Sequence, residues 1–150
     1  MYKKILIPVD GSKTAEAVLP LACSWSTKLR LLVELIAVVD VDELARGLSR
    51  IERFYMTNLT ADETRRCGEY LEKAAKKFFP ACCKPRLEKG STADVIIEAA
   101  AADKDTLIMM ATHGRSGLSR WLLGSVAEKV LRGTSNPLLL IRSSGQAAGR

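Results

Sequence analysis

The sequence predicts an α/β fold, a doubly wound parallel sheet with helices on both faces. Three observations point to it. The runs Ile5–Val9 and Val33–Val39 are apolar on consecutive residues, broken only by Glu34. That is the pattern of strands buried on both sides, as parallel strands are. Amphipathic helical stretches separate the apolar runs, in the order β-α-β-α-β-α-β-α-β. Such alternation places the connecting helices on the two faces of one sheet.

Taken in order, Ile5–Val9 is the first strand, and Asp10-Gly11-Ser12 breaks it. A helix then carries Ala15, Val18, Leu19, Ala22, Trp25 and Leu29 on one face, with Ser12 as its N-cap. Val33–Val39 is the second strand. Asp40–Leu59 is charged, contains Gly47 and an apolar pair at Phe54 and Tyr55, and has room for a short helix. A crossover of this length serves either as a lid or as a plain mobile connection. Thr60 and Glu63 form a capping box for a helix with Cys67, Tyr70, Leu71, Ala74 and Phe78 inward, ended by Pro80. Lys84–Glu88 is half polar and reads as a strand near an edge. Gly90-Ser91-Thr92 opens a helix that turns Ala93, Ile96, Ile97 and Ala100 inward. Leu107–Ala111 is the fourth strand, and Leu138–Ile141, introduced by Asn136-Pro137, is the last. Residues 1–142 are expected to form one domain, with 143–150 a polar tail.

Composition narrows the function. A chain of 150 residues that is nearly half apolar holds one sizeable core. The net charge of +6 comes from scattered Lys and Arg, so no nucleic-acid partner is expected. No apolar run approaches membrane-spanning length, and the chain opens straight into a strand. A cytoplasmic location and no membrane contact are therefore expected. Cys23 and Cys67 fall on apolar helix faces and read as reduced core thiols. Adjacent Cys82 and Cys83 are either two unrelated small residues or a redox pair.

Most catalytic motifs are absent. There is no G-x-G-x-x-G after the first strand, no G-x-x-x-x-G-K-[ST] and no G-x-S-x-G elbow. His113 is the single histidine, which argues against a zinc site or a Ser-His-Asp triad. What remains is Ala111-Thr112-His113-Gly114-Arg115-Ser116-Gly117 between the fourth strand and the last helix, running on to Gly124-Ser125. A glycine-rich turn before a helix start gathers bare N–H groups and a positive dipole end, which suits a phosphate. The same glycines also suit an ordinary tight turn. Ser125 and Glu128 form an S-x-x-E capping box, Val126, Ala127, Val130 and Leu131 make the apolar stripe, and Gly133 stands at the C-terminal glycine position.

Lys3–Ser12 (K-K-I-L-I-P-V-D-G-S), Gly114–Arg132 (G-R-S-G-L-S-R-x-L-L-G-S-V-A-E-K-V-L-R) and Asn136–Arg142 (N-P-L-L-L-I-R) together resemble the universal stress protein family over nearly the whole chain. The resemblance implies a five-stranded parallel sheet in the order 3-2-1-4-5, of the adenine-nucleotide alpha-hydrolase-like kind. It also implies a homodimer through the last strand. Nucleotide-binding members carry Gly, two residues, Gly, nine residues, then Gly and Ser or Thr. Here Gly114, Gly124 and Ser125 match, and Ala111 stands at the first Gly position.

Carried over on that resemblance, the cofactor is ATP, with Mg or Mn as an accompanying ion. Pro8 and Val9 wall the adenine and ribose, Asp10 meets the nucleoside, and Val38 offers its backbone to the adenine edge. Ala111, Thr112, His113 and Gly114 run under the ribose and α-phosphate. Arg115 pairs with phosphate, and Gly124, Ser125 and Val126 hold the outer phosphates. The function implied is a nucleotide-dependent regulatory module in a stress response, acting on an unidentified protein partner. Only His113 and Arg115 could help hydrolysis, and no residue tunes either, so an enzyme is not expected beyond a very slow ATPase. A dimeric interaction module without nucleotide is the other alternative.

Overall fold

The computed structural model describes residues 2–46, 48, 49, 52, 55–113 and 123–142. Five parallel strands form one sheet: β1 (Lys4–Pro8), β2 (Leu32–Val39), β3 (Cys83–Lys89), β4 (Thr106–Ala111) and β5 (Leu138–Ile141), in the order β3-β2-β1-β4-β5. The expected order is borne out. Each strand pairs in parallel with its neighbour, Pro8 opposite Ile36, Leu6 opposite Ile108 and Ala111 opposite Ile141.

The consecutive apolar residues of β1, β2 and β4 split between two cores. Ile5, Ile7, Leu35 and Met109 face one side, where they meet α2 (Leu19–Leu29) and α4 (Met56–Phe78). Leu6, Ile36, Ile108 and Met110 face the other, against α5 (Thr92–Ala101) and α6 (Ser125–Gly133). Each burial of an aliphatic side chain contributes about 1.5–3 kcal/mol before chain entropy is counted. That two-sided burial requires a strand with no polar face.

Glu34 is the exception. Its residue is only 6 % exposed, yet it stands mid-strand among apolar neighbours. Lys4 donates to Glu34 Oε2 at 2.8 Å and Arg86 to Glu34 Oε1 at 3.3 Å, and Arg86 also donates to Glu88 at 2.7 Å. One ionic chain therefore ties β1, β2 and the edge strand β3 together. Asn136 does similar work at the other end, its side-chain amide donating to the carbonyls of Asp103 and Thr106.

Several local expectations are corrected. The first helix is broken into α1 (Lys13–Glu16) and α2, because Pro20 stands in the first turn of α2 and has no N–H to continue the ladder. Ser12 does cap α1, its Oγ accepting from Ala15 N–H at 3.1 Å. Leu29 points outward at the end of α2 and is 60 % exposed. Thr60 does not cap a helix. It lies inside the 23-residue α4, and its carbonyl accepts from the Thr64 hydroxyl. The real start, after Tyr55, has no side-chain cap and hence no sequence signal. The crossover after β2 holds a short helix, α3 (Val41–Ala45), as the pattern allowed. Phe54, Gly47 and the tail 143–150 lie outside the described residues.

Cys67 is buried and Cys23 half-buried against the same core. Cys83 opens β3. Burial, with lesser contributions from Cys82, Glu72 and Glu34, pushes its thiol up to about 11, against a weaker pull from a backbone hydrogen bond. The thiolate is the reacting species, although a higher pKa also makes it more nucleophilic. Alkylation of Cys83 at pH 8 is therefore expected to run roughly tenfold slower than that of an unperturbed cysteine. Peptide-resolved mass spectrometry of a time course would check it; equal rates would show that the β3 edge opens freely.

Candidate functional site

In a sheet of this order the ligand crevice lies beyond the carboxyl ends of the strands, where the connections diverge on either side of β1. Three strand tips meet there. Pro8–Asp10 ends β1, Val38–Asp40 ends β2, and Ala111–His113 ends β4.

The β2 tip is left open by the ladder itself. Leu32 N–H donates to Lys3 C=O and Ile36 C=O accepts from Val9 N–H, so even-numbered residues of β2 bond toward β1. Val33 N–H donates to Cys82 C=O and Val39 C=O accepts from Gly90 N–H, so odd ones bond toward β3. Val38 therefore directs its N–H and C=O toward β1. But β1 ends at Pro8, and Gly11 turns the chain away with φ +79°. The Val38 peptide groups face the space past that end.

Two aspartates brace the tips. Asp10 Oδ1 accepts from Ser12 N–H at 2.9 Å and holds the turn after β1. Asp40 caps α3 through Oδ1, which accepts from Glu43 N–H at 2.9 Å. Its Oδ2 accepts from the N–H and hydroxyl of Thr92, at 3.2 and 3.3 Å, at the start of α5. Partial burial works to raise the Asp40 carboxyl, but these donors outweigh it and hold it below its ordinary value. Asp40 is the site-side residue that sequence reasoning missed; its D-x-x-E spacing with Glu43 is the signal that could have found it.

At the β4 tip, Ala111 is buried and extended within the strand. Thr112 N–H donates to Ile141 C=O, and Thr112 Oγ1 lies 2.9 Å from His113 Nδ1. His113 Nε2 is buried with no hydrogen-bond partner among the described residues. Gly124 N–H donates to Thr112 C=O at 2.8 Å, drawing the start of α6 onto this tip. A Cβ on Gly124 would sit 2.9 Å from that carbonyl oxygen and 3.4 Å from His113 Cα. The glycine is needed for this approach; its φ of −62° suits any residue.

The expected capping box is not formed. Gly124 is the N-cap, its carbonyl accepting from Glu128 N–H, and no side chain caps the helix. Ser125 is the first helical residue and is exposed, while Glu128 turns forward to Arg132 at 3.1 Å. The forward i,i+4 ion pair wins over the backward reach because the arginine fork is close and charged. The N–H groups of Ser125, Val126 and Ala127 therefore stand at a helix mouth that no side chain of the described residues caps. Ala127 and Val130 supply the buried stripe, but Leu131 is half exposed. Gly133 has no left-handed backbone and ends α6 as a helical residue. A Cβ there would come within 2.7 Å of Ile97 Cδ1, the free end of a side chain that can turn aside.

Of the expected site residues, Pro8, Val9, Asp10, Val38, Ala111, Thr112, His113, Gly124, Ser125 and Val126 gather at these three tips and the adjoining helix mouth. Gly114 and Arg115 lie outside the described residues. A cavity of about 420 Å³ opens beside Asp10, between the turn Asp10–Ser12 and α4. A second hollow, of about 330 Å³, is walled by Trp25, Leu31, Leu107 and Pro137–Leu139. It lies at the amino ends of the strands, away from the crevice. No helix among the described residues is long and apolar enough to cross a membrane.

Comparison with known proteins agrees with this architecture. The chain is 32 % identical over 142 residues to universal stress protein MJ0531 of Methanocaldococcus jannaschii, covering 95 % of this chain and 83 % of that one. It is similar to the solved structure of MJ0577 from the same organism at a TM-score of 0.84 and 29 % identity, over 97 % of this chain and 99 % of that one. A universal stress protein from Archaeoglobus fulgidus, solved in complex with dAMP, shares the fold at a TM-score of 0.58 and 20 % identity, over 93 and 98 % of the two chains. The model of the universal stress protein family matches residues 1–142, and the chain belongs to that family.

Proposed function

We propose that this protein binds ATP at the carboxyl ends of β1, β2 and β4 and acts as a nucleotide-dependent regulatory module in a stress response. The observation that carries the reading is the uncapped mouth of α6, drawn against the β4 tip by the Gly124–Thr112 hydrogen bond. Ser125 and Val126 donate backbone N–H groups to the outer phosphates, helped by the helix dipole. Val38 presents an N–H beside a C=O, the complement of the acceptor and amino donor on an adenine edge. Asp10 meets the nucleoside between them, with Pro8 and Val9 as the wall. Ala111 replaces the first motif glycine without cost, because the position is extended strand and needs no positive φ. Thr112, His113, Gly114 and Arg115 complete the path under the α-phosphate.

The same reading makes a Mg or Mn ion a ligand chiefly of the phosphates, since no cluster of three His, Cys, Asp or Glu is found among the described residues. It makes turnover slow, because no carboxylate among the described residues orients His113 as a base. A cytoplasmic homodimer through the outer edge of β5 is the assembly we propose. Titration of nucleotide-stripped protein with ATP in a calorimeter is expected to give saturable heat and a raised melting temperature. A flat titration at millimolar ATP, with an unmoved melt, would leave the dimeric interaction module as the better account.

A further inference from the structure

We propose that Asp40 is the positioning residue for the base of the bound nucleotide, its carboxylate holding the tip of β2 so that the Val38 N–H and C=O stay aimed at the adenine edge; this rests on the nucleotide reading above. The ladder shows why such a residue is needed. The last bond from β1 to the end of β2 runs from Val9 N–H to Ile36 C=O. Past Ile36, no backbone hydrogen bond among the described residues joins the two strands. The ties that remain come from the other side. Val39 C=O accepts from Gly90 N–H at 3.2 Å, and Asp40 Oδ2 accepts from the N–H and hydroxyl of Thr92. Val38 lies between Ile36 and these ties.

One carboxylate serves two helices here. Its Oδ1 caps α3 by accepting from Glu43 N–H. Its Oδ2 reaches the start of α5, where Ser91 stands at the N-cap position but makes no side-chain cap hydrogen bond. The two helices differ as supports. No residue of α3 is buried, whereas α5 buries Ala93, Ile96, Ala99 and Ala100 in the core. The bond to Thr92 therefore fastens the β2 tip to a fixed element, and the bond to Glu43 hangs α3 from that tip. Only an ionised aspartate does both, because each of its oxygens accepts; an asparagine in its place has one accepting oxygen and an NH₂ group that only donates.

The sheet order confines the effect to the base. β1 stands between β2 and β4, so the Gly124–Thr112 contact that sets the phosphate end lies on the far side of β1 from Asp40. Release of Asp40 moves Val38 and leaves the mouth of α6 in place. An N–H beside a C=O matches adenine, which offers a ring acceptor beside an amino donor. It does not match hypoxanthine, which carries a carbonyl acceptor where adenine has the amino group. The preference for ATP over inosine triphosphate thus reports where the Val38 peptide groups stand.

The test is calorimetry with ATP and inosine triphosphate on nucleotide-stripped wild type, Asp40→Asn and Thr92→Val. The ratio of the two affinities is the readout, because the removed charge acts on both triphosphates alike. The wild type is expected to prefer ATP by roughly tenfold or more. Asp40→Asn is expected to lower that ratio by roughly fivefold, chiefly through weaker ATP binding. Thr92→Val keeps the backbone N–H and removes only the hydroxyl, and is expected to lower the ratio by roughly twofold. An unchanged ratio in the folded Asp40→Asn protein, or in Thr92→Val where that protein does not fold, overturns the role of Asp40 and leaves the nucleotide site standing. A wild type that binds both triphosphates equally does the same. Absence of ATP binding in the wild type overturns both readings.

Discussion

Gly124→Ala is expected to weaken ATP binding by at least tenfold and to destabilise the fold by about 1–3 kcal/mol, the range for forcing one extra group into a packed position. The added Cβ would stand 2.9 Å from the Thr112 carbonyl oxygen, a backbone atom that cannot turn aside. The start of α6 must move outward, and the 2.8 Å bond from Gly124 N–H to that oxygen lengthens or breaks. The helix mouth then no longer meets the β4 tip. Ser125→Ala is the informative partner. Ser125 is exposed and caps nothing, so its loss is expected to leave stability within about 0.5 kcal/mol. A capping serine would instead cost about 1 kcal/mol on removal. Urea denaturation and calorimetry on both variants measure these quantities. Unchanged affinity in Gly124→Ala would place the phosphates somewhere other than this helix mouth.

Glu34→Ala is expected to destabilise the fold by about 2–4 kcal/mol. Breaking a buried ion pair costs about 3–5 kcal/mol because the partner charge is left behind, and partial exposure of the partners reduces this. The Glu34 side chain is 8 % exposed, against 20 % for Lys4 and 36 % for Arg86. Lys4 in particular would be left beside an apolar strand with no counter-charge. The replacement of Glu34 and Lys4 together by leucine and methionine is expected to recover most of the loss, since it removes both charges.

The same group sets an acid limb. Burial alone would raise the Glu34 carboxyl, but the hydrogen bonds and charges of Lys4 and Arg86 together outweigh it and hold it below its ordinary 4.5. A carboxyl lowered in the folded state binds protons more readily when unfolded. Its contribution is therefore complete above the unfolded value and is lost as pH falls through the folded one. Denaturant midpoints measured downward from pH 6 are expected to fall more steeply in the wild type than in Glu34→Ala. Parallel curves would show that the ion pairs add nothing in solution.

Much of this was legible in the chain because it depends on short-range regularities. Unbroken apolar runs such as Ile5–Val9 and Val33–Val39 mean strands covered on both faces, and helical stripes between them mean parallel connections. That Gly124-Ser125 open a helix was legible from the apolar stripe that follows them; their assignment to phosphate came from the motif spacing of the family the sequence resembles, and it belongs to the proposal. Where local signals competed, sequence reasoning chose wrongly. Thr60–Glu63 and Ser125–Glu128 both spell a capping box, but a cap forms only where a helix actually begins. One pair lies inside α4, and the other loses its glutamate to Arg132.

Tertiary structure alone decided the rest, since each such feature joins residues distant in sequence. Glu34 is tolerable in a core strand only because β1 and β3 bring Lys4 and Arg86 to its two oxygens. Asp40 becomes a brace only when the start of α5 comes to lie beside the end of β2, 52 residues away. Tyr70 looks like any inward residue of an amphipathic helix until packing buries its hydroxyl against Glu16. Composition and spacing determine which elements form and which faces they bury. Which polar groups end up paired depends on distances across the sheet, and these exist only once the chain has folded.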